Sequence, residues 1–145
     1  MVPIEGELID WAVYTATRSA LGDNFVRILG DFRGAGARSG TQCGQARRAQ
    51  DAAQMIMPGH TLKGEASQFG AIRLCIAAEQ IELTARKCIE HHQAPDELLE
   101  LVVKLRPMFE ETLVELTRES SPVVERQVAG FGRKSSGLRP PSPLR

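Results

Sequence analysis

One stretch of this chain sets its side chains at spacings suited to moving a charged group: Pro58-Gly59-His60-Thr61-Leu62-Lys63-Gly64-Glu65-Ala66-Ser67-Gln68-Phe69-Gly70. On an α-helix advancing about 100° per residue, with His60 at zero, Lys63 falls near −60°, Gly64 near +40° and Ser67 near −20°. Met55, Leu62, Ala66 and Phe69 gather between about 180° and 240°, so the imidazole points to solvent while the opposite face enters a core. An imidazole nitrogen is a nucleophile, and a lysine one turn away supplies a positive charge beside it. Together they suit transfer of a phosphoryl group. Such a group carries negative charge on three equatorial oxygens and needs in-line access, so positioning and charge stabilisation do most of the chemistry.

Gly64 fits the same picture. It has no side chain, so a tetrahedral group and the molecule delivering it can approach the helix closely, although the glycine weakens its helix by about 0.5–1 kcal/mol relative to alanine. An exposed histidine alone is usually only a solvated residue; the lysine and glycine beside it strengthen a functional reading. Glu65, near 140°, lies at the edge of the polar face and reads as a flank, not a base.

The elements that must position these residues are helices. Alternating β-branched or aromatic runs do not occur, whereas apolar residues recur at three-to-four spacing throughout. A first short helix is expected from Leu8 to Ser19 with Leu8, Trp11, Ala12 and Thr15 along one side, stopped at Leu21-Gly22 with a capping residue following. A second starts after Asp23 or Asn24 with Phe25, Ile28, Leu29 and Phe32 in register, and continues, softened, through the glycines from Gly34 to Gly44. The motif helix runs from Asp51 to Phe69. Pro58 inside it predicts a kink or break just before His60, and Gly70 ends it.

A third long helix, Ala71 to His92, carries Leu74, Ala77, Ala78, Ile81, Ala85 and Cys88 on one stripe and Ile72, Ile76 and Leu83 on a smaller one. The smaller stripe packs against another helix or offers a partner an apolar surface. Pro95-Asp96-Glu97 opens a final helix, with Leu98, Leu101, Val102, Leu105, Met108, Phe109, Leu113 and Leu116 inward and a bend at Pro107. The fold class is all-α: an antiparallel four-helix bundle with a short N-terminal capping helix.

At 145 residues and 42% apolar, the chain has the size of one domain. Residues 1–120 are expected to form it and residues 121–145 a flexible tail. Lys plus Arg and Asp plus Glu balance at 18 each, but the tail sets Arg126, Arg133, Lys134, Arg139 and Arg145 against one acid, Glu125. It is too poor in apolar residues to fold alone, and reads as a disordered end or as a basic arm that touches an acidic partner or the domain itself. The body has no basic patch and few aromatics, which argues against nucleic acid. Neither a signal peptide nor a membrane span is recognisable, so a cytoplasmic protein with no membrane association is expected.

Cys43, Cys75 and Cys88 are far apart and indicate neither a disulfide framework nor a zinc site; Cys75 and Cys88 read as buried thiols. His91 and His92 point about 100° apart on a helix with no second cluster of ligands, so no metal is indicated. The glycine-rich Gly34–Gly44 stretch has neither a preceding strand nor a following Gly-Lys-Ser/Thr, so no nucleotide loop is implied.

His60, Leu62, Lys63, Gly64, Ala66, Gly70 and Ala71 resemble the His-x-Leu-Lys-Gly motif, with its following small residues and Gly-Ala, of histidine-containing phosphotransfer (HPt) domains. The resemblance covers residues 8–118 in helix order and is specific from His60 to Glu82. It implies a phosphorelay intermediate: His60 accepts a phosphoryl group from a receiver-domain aspartate and passes it to another receiver, Lys63 stabilises the phosphoryl charge, and Gly64 gives access. Ser67 and Gln68 belong to the surface that binds the partner. In some HPt domains a polar residue twenty-two positions after the histidine accepts a hydrogen bond from the imidazole; here that position is Glu82, otherwise an ordinary surface glutamate. The resemblance implies response-regulator receivers and a hybrid or cognate histidine kinase as partners, and a monomer. It implies no cofactor of the chain's own, Mg²⁺ belonging to the receiver, and a phosphocarrier without an ATP site rather than an enzyme. The alternative is a degenerate HPt-like adaptor that binds receivers without transferring phosphate.

Overall fold

The computed structural model describes residues 6–94 and 96–120. Among them the order is α1 (Trp11–Leu21), a 3-10 turn (Gly22–Asn24), α2 (Phe25–Arg48), α3 (Ala53–Gln68), α4 (Ile72–Glu90) and α5 (Asp96–Ser120). Helices α2 to α5 form an antiparallel bundle, joined by connections short enough to force neighbours to run in opposite directions. The expected start of the last helix at Pro95 and the tail from residue 121 lie outside the described residues. The chain divides into two compact units, residues 1–112 and 113–145. In the second, the described residues are the end of α5, where Arg118 pairs with Glu115 at 3.0 Å.

The core is a string of aromatic rings. Tyr14 packs on Phe25, Phe25 on Phe69, Phe69 on Phe32 and Phe32 on Phe109, with centroids 5.2–5.8 Å apart. Contacts of this kind add about 0.5–1.5 kcal/mol each beyond area burial. The rings fasten α1, α2, the end of α3 and α5 to one another. Leu62, Leu74, Ile81 and Leu98 fill the layers between.

Helix α1 starts later than its sequence suggests and turns a different face inward. Asp10 caps it, its carboxylate accepting from the amides of Ala12 (3.1 Å) and Val13 (3.3 Å). Its buried residue is Tyr14, while Trp11, Ala12 and Thr15, expected along the inner side, are exposed. The reason is the aromatic string, in which Tyr14 finds Phe25. The stop at Gly22 is present, with φ +55°, but neither Asp23 nor Asn24 caps α2 through its side chain.

Helix α2 is unbroken through its glycines. At Gly36 a Cβ would collide with the Phe109 ring, so the glycine that weakens the helix also admits α5. Helix α3 likewise continues across Pro58 without a break. The proline is buried, and its missing amide leaves the Gln54 carbonyl without its helical donor.

Helices α2, α3 and α4 end alike. In α3 the amide of Gly70 donates to Ser67 (3.2 Å) and that of Ala71 to Ala66 (2.9 Å), with Gly70 at φ +73°. This is the paired 5→2 and 6→1 closure of a left-handed cap. Gln50 and His92, at φ +52° and +53°, hold the equivalent place after α2 and α4. At Gly70 the absence of a side chain has a second use: a Cβ would lie 2.5 Å from the Asp10 carbonyl, and the Asp10 amide donates to the Gly70 carbonyl at 2.7 Å. With Thr17 Oγ1 donating to the Gln68 carbonyl at 2.6 Å, α1 is tied directly to the end of the motif helix. Among the described residues no helix is long and apolar enough to cross a membrane.

Candidate functional site

Helix α3 presents His60 outward, its side chain 56% exposed, while Leu62, Ala66 and Met55 are buried on the far side. Gly64, on the outward face, has no atom within 4 Å of where a Cβ would stand. The surface beside the imidazole is open. Ser67 and Gln68 are exposed further along; the Ser67 hydroxyl donates to the Gly64 carbonyl at 2.9 Å, and Gln68 is engaged through its backbone carbonyl by Thr17.

The neighbouring helix supplies the rest. Glu82 of α4 is buried, its side chain only 6% exposed, yet both oxygens reach the α3 surface. Oε1 is 3.0 Å from Lys63 Nζ, and His60 Nδ1 lies 3.3 Å from Oε1 and 3.2 Å from Oε2. Arg86, one turn further along α4, donates to Oε2 from Nη2 at 3.0 Å and from Nε at 3.3 Å. Burial alone raises the Glu82 carboxyl. The hydrogen bonds from Lys63, Arg86 and His60, with the Lys63 charge, outweigh it and hold the group down to about 2.

This fixes the imidazole. An ionised carboxylate only accepts hydrogen bonds, so the ring nitrogen facing it must carry the hydrogen. Nδ1–H points at Glu82 and the Nε2 lone pair is left outward, available to an electrophile. The same carboxylate answers positive charge appearing on the ring. Lys63, expected from the sequence to place a positive charge beside the imidazole, is partly buried and already paired with Glu82.

Two participants have little sequence signal. Gly59 lets α3 and α4 approach: a Cβ there would stand 3.1 Å from the Ala78 carbonyl oxygen and 3.2 Å from the Glu82 nitrogen. Its position directly before the histidine was the available hint. Arg86 follows Glu82 at i+4, a spacing that pairs charges on a helix, but becomes notable only once Glu82 is known to be buried.

Other sequence candidates lie elsewhere. Cys75 is only half-buried, its thiol 3.6 Å from the Lys63 carbonyl oxygen, whereas Cys43 and Cys88 are buried. On the smaller stripe of α4, Ile72 and Ile76 are half-buried and Leu83 is exposed. Glu65 keeps one carboxylate oxygen buried without a hydrogen-bond partner; burial raises it against the opposing pull of Arg38. His91 Nε2 is 3.7 Å from its neighbour Glu90, and among the described residues no group of three His, Cys, Asp or Glu could hold a metal.

This geometry can be set beside known proteins. No family model matches the sequence, and no curated protein matches it. A solved structure does: histidine-containing phosphotransfer protein B (HptB) from Pseudomonas aeruginosa PAO1 superposes with a TM-score of 0.71, covering 79% of this chain and 96% of that one at 19% identity. The chain has the HPt fold. At that identity the likeness concerns the fold, and the site stands on its own geometry.

Proposed function

We propose that the chain is a histidine phosphotransfer protein of a two-component phosphorelay, in which His60 takes a phosphoryl group from a receiver-domain aspartate and hands it to another receiver. The observation that carries this reading is the exposed imidazole whose Nδ1 is engaged by the ionised, buried Glu82, leaving Nε2 free beside the open surface at Gly64.

In the forward step the Nε2 lone pair attacks phosphorus in line with the aspartyl P–O bond. The N–P bond forms as the P–O bond breaks, and the aspartate leaves as carboxylate with the bonding electron pair. Positive charge grows on the ring, whose Nδ1 proton stays directed at Glu82. A carboxylate fixed there before reaction stabilises that charge without reorganising. Lys63 lies one turn away on the same helix, and its ammonium, paired with Glu82 before reaction, reaches the phosphoryl oxygens by leaving that carboxylate. The step reverses toward a second receiver, so the chain acts as a carrier. On this reading Mg²⁺ is expected on the receiver, and no ATP site is expected on the chain itself. Ser67 and Gln68 extend the exposed face on which the receiver rests.

The HPt fold shared with HptB supports this reading. It is tested by mixing the protein with Mg²⁺-bound receiver domains charged by ³²P-labelled acetyl phosphate. Label that moves onto the chain, survives base and is lost in acid is expected. Receiver binding without any transfer would make the protein an adaptor instead.

A further inference from the structure

We infer that Arg86 is a positioning residue: by holding Glu82 it frees Lys63 to leave that carboxylate for the phosphoryl group on His60. The inference rests on the phosphotransfer reading above. In the structure Lys63 is not waiting at the imidazole; its Nζ is bound to Glu82 Oε1 at 3.0 Å. A buried carboxylate stripped of its cations is strongly unfavourable, so Glu82 would retain Lys63 if nothing else compensated it. Arg86 compensates it. Two of its donors converge on the other oxygen, Oε2, at 3.0 and 3.3 Å, from one turn further along the same helix.

The two cations differ in how they hold a carboxylate. Lysine is a point charge on a flexible stem, whereas the guanidinium is a planar fork that holds its acceptor through two hydrogen bonds at once. When phosphoryl oxygens arrive beside Nε2, Lys63 is the partner able to swing, since it is carried by the same helix as His60. Glu82 then keeps Arg86 and the Nδ1–H of His60. The site has two cations for one carboxylate because one of them must be able to leave. No bond is made or broken in this exchange; an ion pair is replaced by another.

The test is a double-mutant cycle with phosphoramidate as donor, whose P–N bond breaks with loss of ammonia as the His60 N–P bond forms. Phosphohistidine is followed by ³¹P NMR and folding by circular dichroism. Arg86→Gln should slow phosphorylation by about tenfold when Lys63 is present and by less than twofold in the Lys63→Ala background, because there is then no lysine to release. Arg86→Lys, which keeps the charge without the fork, should recover part of the rate with Lys63 present and change nothing without it; it also carries the test if Arg86→Gln fails to fold. Equal slowing in both backgrounds, or none with Lys63 present, overturns the role of Arg86 while leaving His60 as acceptor. A wild-type protein that takes up no phosphoryl group overturns the phosphotransfer reading itself, and the inference with it.

Discussion

Gly59 brings Glu82 to His60. The backbone nitrogen of Glu82 would lie only 3.2 Å from a Cβ at position 59, so the missing side chain just before the histidine allows α4 to pass close enough for the carboxylate to meet the imidazole. Filling that space should both destabilise the bundle and spoil the site. Gly59→Val adds a Cβ and two methyl groups against the backbone of Ala78 and Glu82, and overpacking of this kind costs about 1–3 kcal/mol. Its helix propensity is only a few tenths of a kcal/mol better than that of glycine, which does not offset the clash. Urea unfolding should show the loss, and a variant as stable as wild type would mean that the close approach of α3 and α4 does not depend on the missing side chain at position 59.

The acid dependence of stability should carry the signature of Glu82. Its carboxyl is lowered from the ordinary glutamate value near 4.5 to about 2, so the folded state favours the ionised form. The resulting stabilisation is fully present above about pH 4.5 and is lost as pH falls through about 2. Urea unfolding of wild type and Glu82→Gln should therefore differ most at neutral pH and converge between about pH 4.5 and 2. A gap of constant size across that range would contradict the ion-paired carboxylate.

Lys63 should act on rate more than on stability. Lys63→Ala removes the charge nearest the phosphoryl oxygens and should slow transfer from a receiver by one to two orders of magnitude, on the order of 1–3 kcal/mol of barrier. Because Arg86 and His60 remain on Glu82, the cost to folding should stay near 1 kcal/mol. An unchanged transfer rate removes the lysine from the mechanism.

Gly64 should show stability and function moving in opposite directions. A Cβ there meets nothing within 4 Å, so Gly64→Gln gains several tenths of a kcal/mol of helix propensity without a clash. The same side chain occupies the approach to Nε2 and should block transfer from a receiver. Thermal melts and transfer assays on one preparation check both, and a stable variant with normal transfer removes the steric role of Gly64.

The bundle was legible because its signal is repetitive. Apolar periodicity places α2 to α5 and the outward face of His60 without any tertiary information. Local rules misled where tertiary packing opposed them. Glycines predicted a soft α2, but Gly36 is where the Phe109 ring enters; Pro58 predicted a kink or break, but the helix runs on through it; and the inner face of α1 is chosen by the contact of Tyr14 with Phe25. Burial of Glu82 could not be read from its own helix, where it looks like any glutamate. It follows from the close passage of α4 along Gly59, which no periodicity records.

The most direct measurement is which imidazole nitrogen carries the phosphoryl group. Because Nδ1 is held against Glu82, protein loaded with phosphoramidate should give a single phosphohistidine at His60, attached through Nε2, in ³¹P and ¹⁵N NMR, and His60→Gln should give none while keeping its helical circular dichroism. Attachment through Nδ1, or phosphohistidine at His91 or His92, would contradict the account.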